Sequence, residues 1–237
     1  MLSMKKPLAR RLIALAVLLA IAMPCLLAET HYMPRISIGA RAGVSMSRMD
    51  ITPKFPQSLN NGTCGALTFR YTEEKLFGLI AEIGWSQRGW KENFEDKGSP
   101  LEYSRTLTYL TLPILTHIYF GTRRFKCFIN LGPEVAYMIS SSIKTNFDIE
   151  NPTADPNWPI RPRQTAQLTM PVHNKIDYGI TGGIGFEFFV QPRHSVTLEG
   201  RYYFGLGNIF PGSKADHFAA SRCTSIEVSL GYNFRLR

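Results

Sequence analysis

The chain has 237 residues, of which 44% are hydrophobic and 19% charged, and it contains 19 glycines and 15 prolines. This composition excludes collagen-like and disordered proteins, and the mean hydropathy of -0.09 excludes a bundle of membrane-spanning helices. The net charge of +9 resembles that of a nucleic-acid-binding protein, but four of the basic residues belong to a removable leader, and their loss lowers the charge to about +5. We therefore expect no nucleic-acid ligand.

The first 28 residues have the three parts of a secretory signal peptide. A basic stretch at residues 5–11 precedes the apolar run 12–22, and a short segment follows that ends in the small residue Ala28. The apolar run is too short to span a membrane, and the proline before Cys25 disfavours a lipoprotein signal. The sequence predicts a signal peptide at 1–28 and an exported domain at 29–237.

Alternation of apolar and polar residues dominates the exported domain. Between residues 35 and 46 every even-numbered residue is apolar, whereas the odd-numbered ones are Arg, Ser or Gly. Period two predicts a strand with two unlike faces. The same period marks seven further strands, at residues 67–71, 77–85, 110–120, 125–137, 176–188, 196–206 and 226–236.

The connections between these strands alternate between short and long. Three are tight, at 73–76, 121–124 and 191–193, and four are long, at 47–62, 91–102, 141–174 and 207–222. Antiparallel strands joined by short turns at one rim and long loops at the other are typical of outer-membrane barrels, whose turns are periplasmic.

A soluble eight-stranded barrel of the lipocalin kind would show the same alternation with its apolar face inside. Three observations favour the membrane barrel. The polar face combines Gly, Ser and Thr with Arg and Glu, and Lys126 is almost its only lysine, which suits a narrow interior better than a water-facing sheet. Lipid cannot satisfy an open sheet edge, so the strands must close.

Aromatic residues supply the third observation, because they cluster near the strand ends on the apolar face. Tyr178 and Phe188 are ten residues apart, which at a tilt near 45° is a rise of roughly 24 Å, close to the apolar band of such barrels. The predicted aromatic girdles are Phe77, Phe120, Phe125, Phe188 and Phe234 at the turn rim, and Trp85, Tyr137, Tyr178 and Phe204 at the loop rim. The predicted fold is an all-β, eight-stranded, antiparallel up-and-down transmembrane β-barrel with a filled polar interior.

Charged residues on the polar face must pair inside such a barrel, because an isolated buried charge is too unfavourable for a folded chain. We expect Arg–carboxylate pairs that fill the lumen and leave no general diffusion pore. The predicted interior network consists of Arg41, Arg70, Glu82, Arg88, Glu134, Asp177, Glu187, Glu199, Arg201, Glu227 and Arg235.

The sequence gives little support for a catalytic, metal-binding or cofactor-binding site. A hydrolytic barrel needs a His beside a Ser nucleophile or an Asp, and the only local cluster of these types is Asp216-His217 with Ser213 and Ser221, in the fourth long loop. The other histidines are His31, His117, His173 and His194. The exported domain keeps three cysteines, Cys64, Cys127 and Cys223, which is an odd number without a CxxC pair. We expect no disulfide, because Cys64 and Cys223 flank the first strand roughly 10 Å apart.

Several segments resemble the PorT-like outer-membrane β-barrel family of the Bacteroidetes, also labelled "porin family". They are SQRGWKE at 86–92, YLTLP at 109–113, NLGP at 130–133, YFGLGNI at 203–209 and GYNF at 231–234. The resemblance covers residues 36–236. It implies an outer-membrane barrel and, through the founding member, a role in protein secretion across that membrane.

The last strand also resembles the signal that the barrel-assembly machinery reads. Ser229, Gly231, Phe234 and Leu236 fit its pattern, although the chain ends on Arg237 rather than on an aromatic residue. The resemblance implies that this machinery is a transient partner. Basic residues near the loop rim, such as Lys54, Lys144 and Lys175, could attract lipopolysaccharide phosphates or could be ordinary solvated surface.

The sequence thus predicts a monomeric, non-enzymatic barrel in the outer membrane, with no cofactor and with a structural or interaction role through its extracellular loops. Outer-membrane lipid and lipopolysaccharide are its expected surroundings. An accessory role in a secretion or envelope complex is the first alternative, and a lipid- or peptide-cleaving enzyme is the second.

Overall fold

The computed structural model describes residues 35–73, 76–94, 100–159, 165–210 and 219–236. The long strands are β1 Arg35–Thr52, β3 Asn60–Thr72, β4 Phe77–Glu92, β5 Tyr103–Gly121, β6 Phe125–Thr145, β7 Ile176–Gln191, β8 His194–Gly205 and β9 Ala220–Arg235, and β2 is the two-residue strand Gln57–Ser58. A 3-10 turn at Pro152–Ala154 and the short helix α1, Ala166–Thr169, lie between β6 and β7. Within the described ranges, no helix is long and apolar enough to cross a membrane.

The eight long strands close into an antiparallel ring. Each pairs with its neighbour along the chain, and β1 pairs with β9 to complete the circle. In the register, Ile38 lies opposite Phe69 on one side and opposite Phe234 on the other. The short strand β2 pairs with the loop end of β4. The predicted eight-stranded up-and-down barrel is confirmed.

Alternating burial shows which face points outward. Along β4 the residues from Phe77 to Trp85 alternate between exposed apolar side chains and buried ones such as Glu82. The same alternation appears on the other long strands. An apolar exterior and a charged interior are the reverse of a soluble barrel, and they match a wall that faces lipid.

The strands extend further at the loop end than the alternation of hydrophobicity predicts. β1 continues to Thr52, β6 continues to Thr145, and β9 already begins at Ala220. All three extensions fall in segments predicted as loops, so those boundaries were wrong. The reason is that the outward face becomes polar above the apolar band, as at Ser104, Thr106 and Thr108 of β5, and the hydrophobic pattern ends although the backbone pairing continues.

The interior has two layers of different chemistry. Ion pairs fill the middle and the turn end, whereas the loop end holds a cluster of buried apolar and aromatic side chains that includes Trp90, Leu107, Tyr109 and Phe210. The predicted filled polar interior is found in the middle and at the turn end, and the apolar layer lies above it. The prediction missed the upper layer because that layer also draws on residues from the long loops.

Candidate functional site

The middle of the barrel is crossed by a network of ion pairs centred on Glu82. The Arg201 guanidinium donates to both Glu82 oxygens, at 2.7 and 2.8 Å, and its Nε lies 2.8 Å from Glu199. Arg41 donates to Glu82 at 3.0 Å and to Glu227 at 3.2 Å. All five side chains are buried or nearly so. Each carboxylate of this group therefore has a guanidinium partner.

Two further groups lie below and above this centre. Toward the turn rim, Arg70 donates to Glu187 at 2.9 Å, and the Ser195 hydroxyl donates to the same carboxylate at 2.6 Å. Toward the loop rim, Arg88 is hydrogen-bonded to Glu134, and its guanidinium lies 3.7 Å from the centre of the Tyr203 ring.

Asp177 differs from the other carboxylates of the network. Its nearest cation is Arg88, whose Nη1 lies 3.8 Å from Oδ2, and neither of its oxygens has a hydrogen bond of normal geometry, although the Tyr203 hydroxyl and the Tyr178 N–H lie close to the carboxylate. Its side chain is nevertheless only 1% exposed. Two carboxylates thus face one guanidinium at this level, because Arg88 also bonds Glu134.

Two of the pairs join strands on opposite sides of the ring. Arg70 of β3 reaches Glu187 of β7, and Arg201 of β8 reaches Glu82 of β4. In an eight-membered ring each of these strand pairs is diametrically opposed. These two ion pairs therefore cross the lumen, whereas the Arg41–Glu227 pair joins neighbouring strands and the Arg201–Glu199 pair lies within one strand. Of the eleven residues predicted for the interior network, Arg235 is the one at the turn rim, where its guanidinium lies 5.3 Å from the ring of Phe189.

Sequence reasoning missed the neutral members of the network. His117 is buried, and its Nδ1 lies 2.7 Å from the Asn130 carbonyl oxygen, while the Asn130 amide donates to Glu199 at 2.6 Å. The inward parity of these two positions is visible in the sequence, but neither residue is an Arg or a carboxylate, the residue types that mark the network.

The apolar layer at the loop end combines strand and loop residues. α1 places Leu168 inside the mouth, where the Tyr103 hydroxyl donates to the Leu168 carbonyl at 2.9 Å. Arg105 donates to the Met170 carbonyl at 2.7 Å, and the Gln167 amide donates to Glu92 at 2.9 Å. Loop segments thus fold back into the barrel mouth and pack against its strand residues.

At the loop end, β4, β5 and β6 continue as a projecting sheet beyond the last pair between β6 and β7. β4 pairs with β5 as far as Lys91 opposite Ser104, and β5 pairs with β6 as far as Tyr103 opposite Thr145. At its base is a surface groove lined by Tyr137, Tyr178, His173, Lys175 and Asn208, among others. His173, which the sequence placed in the longest loop, is exposed there.

The predicted girdle residues all belong to the outward face. Phe77, Trp85, Phe120, Tyr137, Tyr178, Phe188 and Phe204 are exposed, and Phe125 and Phe234 are half-buried, Phe125 against Phe186 and Phe188 and Phe234 against His194. In the predicted assembly signal, Ser229 and Gly231 point inward, whereas Leu236 is exposed.

The candidate catalytic cluster is not assembled by the described residues. Ser213, Asp216 and His217 lie outside the described ranges, as do His31, Cys25 and the predicted signal peptide. Ser221 is buried, and its Oγ accepts a hydrogen bond from the Phe210 N–H. Cys64, Cys127 and Cys223 are free thiols. In the part of the chain that the structure describes, no group of three or more His, Cys, Asp or Glu is placed to hold a metal ion.

Residues 28–211 match the family described as "Outer membrane protein beta-barrel domain". The chain is also similar to solved structures of small membrane barrels. Ail of Yersinia pestis is 14% identical with a TM-score of 0.40, covering 85% of this chain and all of Ail. The neisserial surface protein NspA is 12% identical with a TM-score of 0.43, over 84% of this chain and 96% of NspA. OprG of Pseudomonas aeruginosa is 13% identical with a TM-score of 0.49, over 87% of this chain and 99% of OprG.

No curated protein sequence matches the chain. Because the family match covers more than half of its length, the chain belongs to the outer-membrane protein β-barrel domain family. Membership of that family indicates the outer membrane as its location.

Proposed function

We propose that this protein is a sealed, non-enzymatic barrel of the outer membrane that binds partner molecules at its extracellular end. The observation that carries the proposal is the filling of the interior by side chains. Ion pairs between opposite strands cross the lumen, and an apolar layer with α1 fills the mouth above them. A barrel filled in this way is poorly suited to the diffusion of solutes through its lumen. Its function would therefore depend on the exposed loop end.

Several finer features belong to the same proposal. The chain is exported by a signal peptide at residues 1–28, is inserted by the barrel-assembly machinery and acts as a monomer among outer-membrane lipid and lipopolysaccharide. The PorT-like resemblance adds an accessory role in secretion, which would place the partner in an envelope complex. A lipid- or peptide-cleaving activity would need the cluster around His217.

Native co-purification of the tagged chain from cross-linked outer membranes tests the proposal. One variant removes four exposed cations at the loop end (K54A, K144A, K175A and R222A), and a control removes two exposed cations at the turn rim (R123A and R124A). We expect the captured partner to be lost with the loop-end variant and kept with the control. Heat-dependent gel mobility of each variant reports whether the barrel has folded.

The opposite pattern would contradict binding at the loop end. Loss of the partner with the turn-rim variant alone would assign the contact to the periplasm and favour the secretion role. A steady conductance in planar bilayers would contradict the sealed interior. A lipid- or peptide-cleaving activity that is lost when one histidine is changed to alanine would favour an enzyme.

A further inference from the structure

The strand β6 has an exposed edge where it projects beyond its neighbour β7. Its pairing with β7 ends at Tyr137 opposite Ile176, followed by one hydrogen bond of 2.7 Å from the Met138 N–H to the Lys175 carbonyl. From Ser140 to Thr145 the strand pairs with β5, and no other described residue forms a backbone hydrogen bond with it there. Six residues of strand extend roughly 20 Å.

The chain covers the corresponding edge elsewhere in the barrel. β9 projects beyond the end of β8, because the last pair between them is Phe204 opposite Thr224. Residues of the fourth loop satisfy the exposed part. The Ile209 N–H donates to the Ser221 carbonyl at 3.0 Å, and the Ser221 N–H donates to Asn208 Oδ1 at 3.0 Å. Covering of this kind is a common protection of strand edges in folded proteins.

The β6 edge carries little protection. Residues 139–145 read ISSSIKT, without proline and with Lys144 as the one charge, and all seven are exposed. Besides the charge of Lys144, a β-bulge beside Thr108 is the feature that protects this edge against pairing with another strand. Ser, Thr and Ile side chains are compatible with an added strand, so the segment can pair on its open side.

Positive charge lies at both ends of this edge. Lys144 is near its tip, and Lys175, beside the Met138 N–H, is at its base in the groove with His173 and Tyr178. An incoming strand with acidic residues about six positions apart would place one carboxylate near each lysine.

We infer that the edge Ser140–Thr145 takes an extended segment of a partner polypeptide as an added strand, with acidic residues of that segment at Lys144 and Lys175. This inference rests on the proposed function and names the class of partner. Main-chain hydrogen bonds supply affinity in strand addition, and the flanking side chains supply selectivity.

A second copy of the chain in the same membrane fits this edge poorly. Two copies related by an axis along the membrane normal would both run β6 outward, and strand tilts of about 35–45° would cross the two edges at a wide angle. A free segment of another protein has no such restriction.

Amide hydrogen exchange, measured by NMR on the folded, isotope-labelled chain in micelles, tests the inference. The probe is the synthetic peptide Asp-Thr-Val-Thr-Val-Thr-Asp, and the control is the same peptide with proline as its central residue, which cannot continue a ladder. Without peptide, every second amide between Ser140 and Thr145 should exchange at least tenfold faster than its neighbours. The probe should slow those amides at least tenfold, and the control should not.

A charge exchange provides a matched variant that keeps the edge intact. Replacing both lysines (K144E and K175E) should weaken binding of the acidic peptide severalfold at low salt and favour a peptide that ends in lysines. Protection of the alternate amides before any peptide is added would overturn the inference, as would protection that depends on barrel concentration, which would assign the edge to a second copy. Binding of the peptide elsewhere, with the β6 amides unchanged, would also overturn it. A partner captured from membranes in that case would leave the proposed function standing.

Discussion

The two layers of the barrel interior are built from different sources and held by different forces. The ion-pair layer is made of inward-facing strand residues, and some of its pairs join facing strands across the lumen, as Arg70 does with Glu187. The apolar layer depends on the return of loop residues, such as Leu168 of α1 and Phe210, to the barrel mouth. Strand geometry therefore positions the first layer, whereas the second combines strand residues with residues of the loops.

The difference has an energetic consequence. In the ion-pair layer, removing one partner leaves a buried charge without compensation. In buried pairs this lowers the free energy of unfolding by about 3–5 kcal/mol. In the apolar layer, removing a side chain leaves a cavity whose effect depends on how far the surroundings relax. Substitutions in the two layers should therefore differ in how much they destabilise the barrel and in which part of it becomes less ordered.

The largest effect is expected for Arg201→Met. This change leaves Glu82 with Arg41 as its remaining cation and leaves Glu199 with the Asn130 amide as its neutral donor. We expect the free energy of unfolding to fall by about 3–5 kcal/mol, measured by urea titration of the barrel in lipid vesicles. The exposed Arg222 supplies a control, because Arg222→Gln should change stability by less than about 0.5 kcal/mol. Equal effects of the two changes would mean that the pairs across the lumen contribute nothing to stability.

A smaller and more local effect is expected for Leu107→Ala. Leu107 is fully buried in the apolar layer, and its loss should destabilise the barrel by about 2–3 kcal/mol, at the lower end of the range for such changes, because the neighbouring loop segments can move inward. The segment between β6 and β7 should then be cut faster by protease, while the folded barrel keeps its heat-dependent gel mobility. Unchanged cleavage of this segment would show that the loops do not depend on the layer.

The sequence is informative about the two layers to different degrees. Alternation places Arg41, Glu82 and Arg201 on the inward face because a strand has a fixed period of two. It does not show that Asn130 joins them, nor that Leu168 lies in the mouth. A loop residue has no period, so its position depends on contacts that form only in the folded chain.

The alternation of apolar and polar residues also does not show where the strands end above the membrane. At Ser140 and Ser142 both faces are polar, although the backbone pairing with β5 continues. The exposed edge that carries the further inference was therefore hidden within a segment that the sequence presented as a loop.

The smallest effect is expected for Asp177→Asn, at the boundary between the two layers. Asp177 is buried, its oxygens have no hydrogen bond of normal geometry, and it shares Arg88 with Glu134, which Arg88 bonds directly. Removing its negative charge eliminates a carboxylate that only a shared, more distant guanidinium compensates, while keeping the shape of the side chain, so the free energy of unfolding should stay within about 0.5 kcal/mol or rise. Glu134→Gln is the matched change, because it removes the carboxylate that does bond Arg88 and should destabilise by about 2–4 kcal/mol in the same urea titration. A large decrease in the free energy of unfolding with Asp177→Asn would show that the Asp177–Arg88 pair stabilises the barrel. The boundary between the layers would then lie one level closer to the loops.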